Sequence, residues 1–145
     1  MKYIAVFLFE SFRKRFNRLL RKALRLNRYI YNSQLMKKSM KKFKLAVEAC
    51  LACFGACELC AALCIEMNDK NHQRCISLCR DCAEICILCV KFCSRNSTFS
   101  SGLMKLCAKI CTACALECEK FSHHPHCKEC AEACRKCAAV CSFKW

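Results

Sequence analysis

One residue type carries most of the buried period in this chain, and it is cysteine. The cysteines fall in four blocks: Cys50, Cys53, Cys57, Cys60 and Cys64; then Cys75, Cys79, Cys82, Cys86, Cys89 and Cys93; then Cys107, Cys111, Cys114 and Cys118; then Cys127, Cys130, Cys134, Cys137 and Cys141. Within the blocks every step is three or four residues, strictly alternating, with seven steps of three and nine of four. That is the a/d period of a bundle helix, whereas a strand would need alternation by two. Each block therefore predicts one helix with its cysteines in a single inward stripe. Apolar residues flank the stripes (Ala46, Leu51, Leu63, Ile76, Leu78, Ile85, Leu88, Leu106, Ile110, Leu116, Ala133, Val140), and charges such as Glu58, Arg80, Asp81, Lys109, Glu117, Lys128 and Arg135 suit the outer face. The flanking Leu, Ile and Val are expected to seal the helix pairs.

The segments between blocks read as short connections: Asn68 to Asn71, Ser94 to Gly102, and Ser122 to Pro125, the proline fitting the first turn of a helix. Connections this short force antiparallel neighbours. The predicted fold is all-α, an antiparallel up-down-up-down four-helix bundle with a cysteine-lined core over residues 43–142. Ahead of it, residues 1–42 read as a basic amphipathic helix. Phe9, Phe12, Phe16, Leu19, Ala23, Leu26 and Ile30 recur at helical spacing, with Arg13, Lys14, Arg15, Arg18, Arg21, Lys22, Arg25 and Arg28 between them. Such a segment suits an anionic membrane surface, and nucleic acid less well because no nucleic-acid motif accompanies the charges. The plainer alternatives are a loosely ordered tail, or a protein that starts at Met36 or Met40.

Composition sharpens this picture. The 145 residues include only 2 Gly and 1 Pro against 20 Cys, which favours helix over sheet. The formal net charge of +15 is concentrated at one end: residues 1–44 hold 14 Lys and Arg and a single acid, Glu10, whereas residues 45–145 hold 12 Lys and Arg and 10 acids. The apolar run before Arg13 is short and no small-residue cleavage site follows it, so no export signal is expected. No run of 18 apolar residues is apparent, so no membrane-spanning helix is expected. A cytoplasmic location would keep the thiols reduced and free for metal.

A lone cysteine is a good small hydrophobe. A core made of 20 of them is another matter, because so small a side chain is expected to underpack every layer and leave space for something else. Pure thiolate sites select Cu(I), zinc or iron–sulfur clusters. Zinc wants closed sets of four, which a continuous sulfur ladder does not obviously provide, and iron–sulfur ligation has its own spacing, absent here. Cu(I) accepts two or three thiolates, and cysteines four apart on a helix can converge on one ion. All 20 cysteines are thus candidate Cu(I) ligands, with a capacity on the order of one ion per thiolate. Burial should hold the metal-free thiols neutral, so that loading expels protons. Extending the stripes outward reaches Met67, His72 and His123 at one end of the bundle, with His124 and His126 beside them: softer, exchangeable ligands that suit a metal entrance. At the other end Met104, Phe43, Phe143 and Trp145 read as an apolar plug.

Two rival readings use the same residues. A thiol redox or sensor protein would exploit a Cys-x-x-Cys pair, with Cys127 the best-placed thiol, but seven such pairs exceed what a catalytic site needs. A zinc-binding metal buffer would use the same sulfurs. No catalytic constellation is apparent, so no enzyme is expected.

The run His123-His124-Pro125-His126-Cys127-Lys128-Glu129-Cys130-Ala131-Glu132-Ala133-Cys134-Arg135-Lys136-Cys137-Ala138 resembles the fourth helix of the bacterial copper storage proteins. Cys75-Ile76-Ser77-Leu78-Cys79-Arg80-Asp81-Cys82-Ala83-Glu84-Ile85-Cys86 and Cys107-Ala108-Lys109-Ile110-Cys111-Thr112-Ala113-Cys114-Ala115-Leu116-Glu117-Cys118 resemble their second and third. The resemblance covers about residues 43–142. It implies storage of multiple Cu(I) ions inside each bundle for copper buffering or detoxification, a homotetramer, and His and Met at the open end. Lacking an export signal, the chain resembles the cytosolic kind. Residues 1–42 depart from the family pattern.

Overall fold

The computed structural model describes residues 43–143 together with Arg21, Lys22, Arg25, Arg28 and Tyr29, these five being helical and exposed. The remainder of the expected N-terminal helix, and Trp145, lie outside the described residues. The chain divides into two compact units, Met1–Ser39 and Met40–Trp145.

Four α-helices make up the second unit: α1 Phe43–Glu66, α2 Gln73–Ser94, α3 Ser100–Glu119 and α4 Pro125–Cys141. They run up, down, up and down, and each cysteine block lies on its own helix. The connections are tighter than the sequence suggests. A short 3-10 turn, Lys70–His72, leads into α2, with the Asp69 side chain accepting the Asn71 N–H at 2.9 Å. The α2–α3 link is only Arg95 to Phe99, because Ser100 to Gly102 already belong to α3.

Two asparagines turn the chain. Asn68 and Asn96 take positive φ (51° and 52°), the left-handed conformation that Asn tolerates better than most residues. At Asn96 the stop is a Schellman motif: Asn96 N–H donates to Cys93 C=O and Ser97 N–H to Phe92 C=O, both at 3.0 Å. The Ser100 hydroxyl adds a bond to the same Phe92 carbonyl, at 3.1 Å. Pro125 opens α4, where its missing N–H costs nothing.

The core is sulfur and alanine. Every one of the 20 cysteines is buried, and Ala46, Ala61, Ala83, Ala108, Ala115, Ala131 and Ala138 are buried with them. Six of those alanines directly follow a stripe cysteine. With only a methyl at these positions, the helices approach closely enough for short side chains to meet. The sulfurs are not held apart as an underpacked core would hold them: those of different helices lie within 3.5–3.9 Å of one another.

The flanks correct the sequence in the same direction. Ile85 is buried, and Ile76, Leu78, Ile110 and Val140 are partly buried against the core, but Leu51, Leu88, Leu106 and Leu116 stay exposed. With close helices, the seam is narrow and the longer side chains project past it. Glu117, expected outside, is buried between α2 and α3, where Arg74 Nε at 3.2 Å and Lys120 Nζ at 2.7 Å neutralise it. Arg135 ties α4 to α3 through a two-pronged pair with Glu119 at 2.7 and 2.8 Å.

α1 also differs from expectation in being long and apolar enough, by length and composition, to cross a bilayer, with mean hydropathy 1.8. Its apolar character comes largely from cysteine and alanine. Those cysteines meet sulfurs of α2, α3 and α4, so α1 is packed as a bundle helix.

Candidate metal centre

The alternation of three- and four-residue steps turns each cysteine stripe toward the bundle axis, and the four antiparallel stripes merge into one seam. Near the α4 N-terminus, Cys64 meets Cys127 at 3.9 Å and Cys60 meets Cys127 at 3.8 Å, while Cys75 meets Cys118 at 3.6 Å across the α2–α3 pair. Midway, Cys53 contacts Cys82 and Cys134 at 3.6 Å, and Cys57 contacts Cys134 at 3.6 Å and Cys130 at 3.7 Å. Further along, Cys82 and Cys111 are 3.5 Å apart and Cys86 reaches Cys107 at 3.8 Å. Cys50 ends the run of contacts against Cys137 at 3.7 Å and Cys141 at 3.9 Å. All 20 thiols are free.

Grouped by mutual distance, the sulfurs do form fours, which the sequence did not suggest. Cys50, Cys86, Cys107 and Cys137 lie within 4.8 Å of one another, one from each helix. So do Cys60, Cys79, Cys118 and Cys130. Between them come the sets Cys53/Cys82/Cys86/Cys111, Cys53/Cys57/Cys82/Cys134 and Cys57/Cys114/Cys130/Cys134. These five share Cys53, Cys57, Cys82, Cys86, Cys130 and Cys134, so closing one tetrahedral set dismantles its neighbours. A metal that demands four private thiolates uses this seam poorly. A two- or three-coordinate ion that shares each thiolate with the next ion uses all of it.

Protonation follows from burial and from the shared S–H bonds. Burial disfavours thiolate along the whole seam. At its ends burial is the first cause: it pushes Cys127 up to about 12, helped by the charges of Cys64 and Cys75, and Cys93 up to about 11 against an opposing hydrogen bond with Ser100. Within the seam the bonds dominate. Cys82 is lowered to about 7, first by its hydrogen bond with Cys111, while Cys57 and Cys86 are pushed up, first by Cys114 and Cys107 respectively. A thiolate that accepts S–H bonds is stabilised only while its neighbours keep their protons. A soft cation replaces those protons one for one in charge.

The histidines gather at one end. The His72 ring is buried against Phe121, with ring centroids 4.1 Å apart, and neither ring nitrogen has a hydrogen-bond partner of good geometry, although Asp69 Oδ2 stands 3.2 Å from Nδ1. His124 lies 5.4 Å from His72, 4.1 Å from His123 and 5.5 Å from His126, centroid to centroid. His126 Nε2 comes to 3.6 Å from Cys64 Sγ, joining the imidazole cluster to the sulfur seam. Burial, and then the neighbouring His123, lowers the pKa of His124. Met67 is at this end too, 40% exposed in the turn after α1. At the opposite end Met104 is fully buried, but Phe143 is exposed, so the expected plug is smaller than its sequence implies.

Sequence reasoning missed three features of this site. The buried alanines have a visible signal, the repeated Cys-Ala pair. The approach of Asp69 to His72 has one in their spacing of three. Phe121 as the wall behind His72 has none, since it is set by how the α3–α4 turn folds back.

Comparisons with known proteins agree with the geometry. No curated protein matches. Copper storage protein 3 of Bacillus subtilis in its apo form is 43% identical over 68% of this chain and 93% of its own, with a TM-score of 0.63. The Cu(I)-bound form of that protein gives 42% identity over 69% and 94%, with a TM-score of 0.66. The cytosolic copper storage protein of Streptomyces lividans, carrying five coppers, is 31% identical over 72% and 92%, with a TM-score of 0.67. The copper storage protein family model matches residues 39–144, and the chain belongs to that family.

Proposed function

We propose that this protein stores many Cu(I) ions along the cysteine seam, buffering the copper of the cytosol. The observation that carries the reading is the continuous run of 3.5–4.0 Å sulfur contacts through overlapping sets of four. Ions insert between sulfurs that already touch, spreading them slightly, instead of filling preformed holes. Loading expels the protons that the metal-free thiols hold, those of Cys93 and Cys127 being kept on by burial.

His126, His124, His123 and the buried, hydrogen-bond-free His72, with Met67 at the rim, form the entrance. His126 hands ions to Cys64, 3.6 Å away, and thence to Cys127. Imidazole and thioether bind Cu(I) more weakly than thiolate, so transfer runs downhill into the bundle. No catalytic step is required. The 20 free thiols suit a reducing compartment, in keeping with the cytosolic relative from Streptomyces lividans. The chain also assembles with copies of itself through the outer face of α1, where Leu45, Leu51, Leu59 and Ile65 are each 46–53% exposed; the family resemblance makes the assembly a tetramer.

Competition decides between copper and zinc. Anaerobic protein offered both Cu(I) and Zn(II) should retain copper alone at saturation. Retention of zinc in four-sulfur sites under excess Cu(I) would defeat the proposal.

A further inference from the structure

Copper storage along the seam leaves residues 1–42 without a task. We infer that this segment docks the protein on an anionic lipid bilayer as an interfacial amphipathic helix.

Arg21, Lys22, Arg25, Arg28 and Tyr29 are all helical and all exposed, Tyr29 at 71%. At 3.6 residues per turn these five positions fall within an arc of roughly 120°. On the same helical projection of the sequence, Phe12, Phe16, Leu19, Ala23, Leu26 and Ile30 fall within roughly 80°, on the far side from the basic arc. Acids are scarce in this segment: residues 1–44 hold 14 Lys and Arg and one acid, Glu10.

A strong moment with cations on one face and aromatic and aliphatic side chains on the other is the pattern of a helix lying in the headgroup region. There the apolar face enters the acyl boundary and the cations meet lipid phosphates. A nucleic acid would satisfy the charges but leave the phenylalanine face in water. A bilayer covers both faces at once, and on that ground the observations favour it.

The test is flotation of the full-length chain with vesicles of equal parts phosphatidylcholine and phosphatidylglycerol, and with phosphatidylcholine alone. Wild type should float with the anionic vesicles and not with the neutral ones, and added salt should weaken the association. The variant Arg21→Glu/Lys22→Glu/Arg25→Glu/Arg28→Glu should lose at least about a hundredfold in partitioning. Phe12→Ser/Phe16→Ser should lose at least about tenfold with its charge intact. The copper endpoint of each variant reports on the bundle separately, so failure of this inference is distinguishable from failure of the storage reading. Absence of wild-type flotation overturns the inference. So does binding to duplex DNA that survives Phe12→Ser/Phe16→Ser while anionic vesicles are ignored.

Discussion

Cys134 sits where the seam is densest, and its removal separates a shared sulfur ladder from a set of private sites. Its Sγ contacts Cys53 and Cys57 at 3.6 Å and Cys82 at 3.8 Å, and it belongs to two of the overlapping fours. In Cys134→Ala one fully buried sulfur is lost. The lost transfer free energy and the small cavity left among these neighbours together cost about 1–1.5 kcal/mol. For a bundle of this size that lowers the apo melting temperature by roughly 5–10 °C, with the fold retained. The functional consequence is smaller still. If each thiolate serves about two ions and each ion takes about two thiolates, losing one thiolate removes about one to two ions from a capacity on the order of twenty. Thermal circular dichroism of the metal-free protein gives the first number, and anaerobic Cu(I) titration read by native mass spectrometry gives the second. A ladder predicts a slightly shorter ladder. Collapse of the endpoint by half or more would refute the reasoning, since it would make Cys134 the keystone of one cooperative cluster. An unchanged endpoint would refute it equally, since this sulfur would then not be a ligand.

Other expectations follow from the same geometry. His72→Ala should slow loading from a chelated Cu(I) donor by roughly tenfold while lowering the endpoint by no more than about one or two ions, measured by stopped-flow transfer. The metal-free bundle should lose stability at high pH. Cys93 and Cys127 are raised to about 11 and about 12 from 9.0, so the folded state keeps protons that the unfolded chain releases. Their contribution is therefore fully present below about pH 9 and lost progressively towards pH 12, whereas the copper-loaded protein, having no thiol protons to lose, should show a flatter profile in chemical denaturation. On the proposed self-assembly through the exposed apolar face of α1, Leu59→Glu should yield monomer by light scattering without changing copper capacity per chain.

Much of this protein is legible in its sequence because one residue type marks the core. The period of three and four assigned every cysteine to a helix and every helix to one inward stripe, since no other secondary structure repeats at that interval. The four described helices follow the blocks closely. What the sequence concealed was interhelical distance. Cys134 and Cys53 look too short to meet across a bundle, and they do meet, because alanines such as Ala61, Ala83 and Ala131 remove bulk where the backbones approach. The same closeness expels Leu51 and Leu116 from the seam and lets Glu117 lie buried between two cations, neither of which a hydrophobic pattern reveals. The histidine end was legible as a position, because extending the stripes leads to it. The burial of His72 against Phe121 was not, because it depends on the fold of a turn.

The seam should hold copper in proportion to its sulfurs. Anaerobic titration of the wild-type chain with Cu(I), with the loaded species weighed intact, tests it most directly. The expected endpoint is on the order of twenty ions per chain, bound with release of thiol protons and no disulfide formation. An endpoint of one or two ions, or mass losses that report paired cysteines, would contradict it.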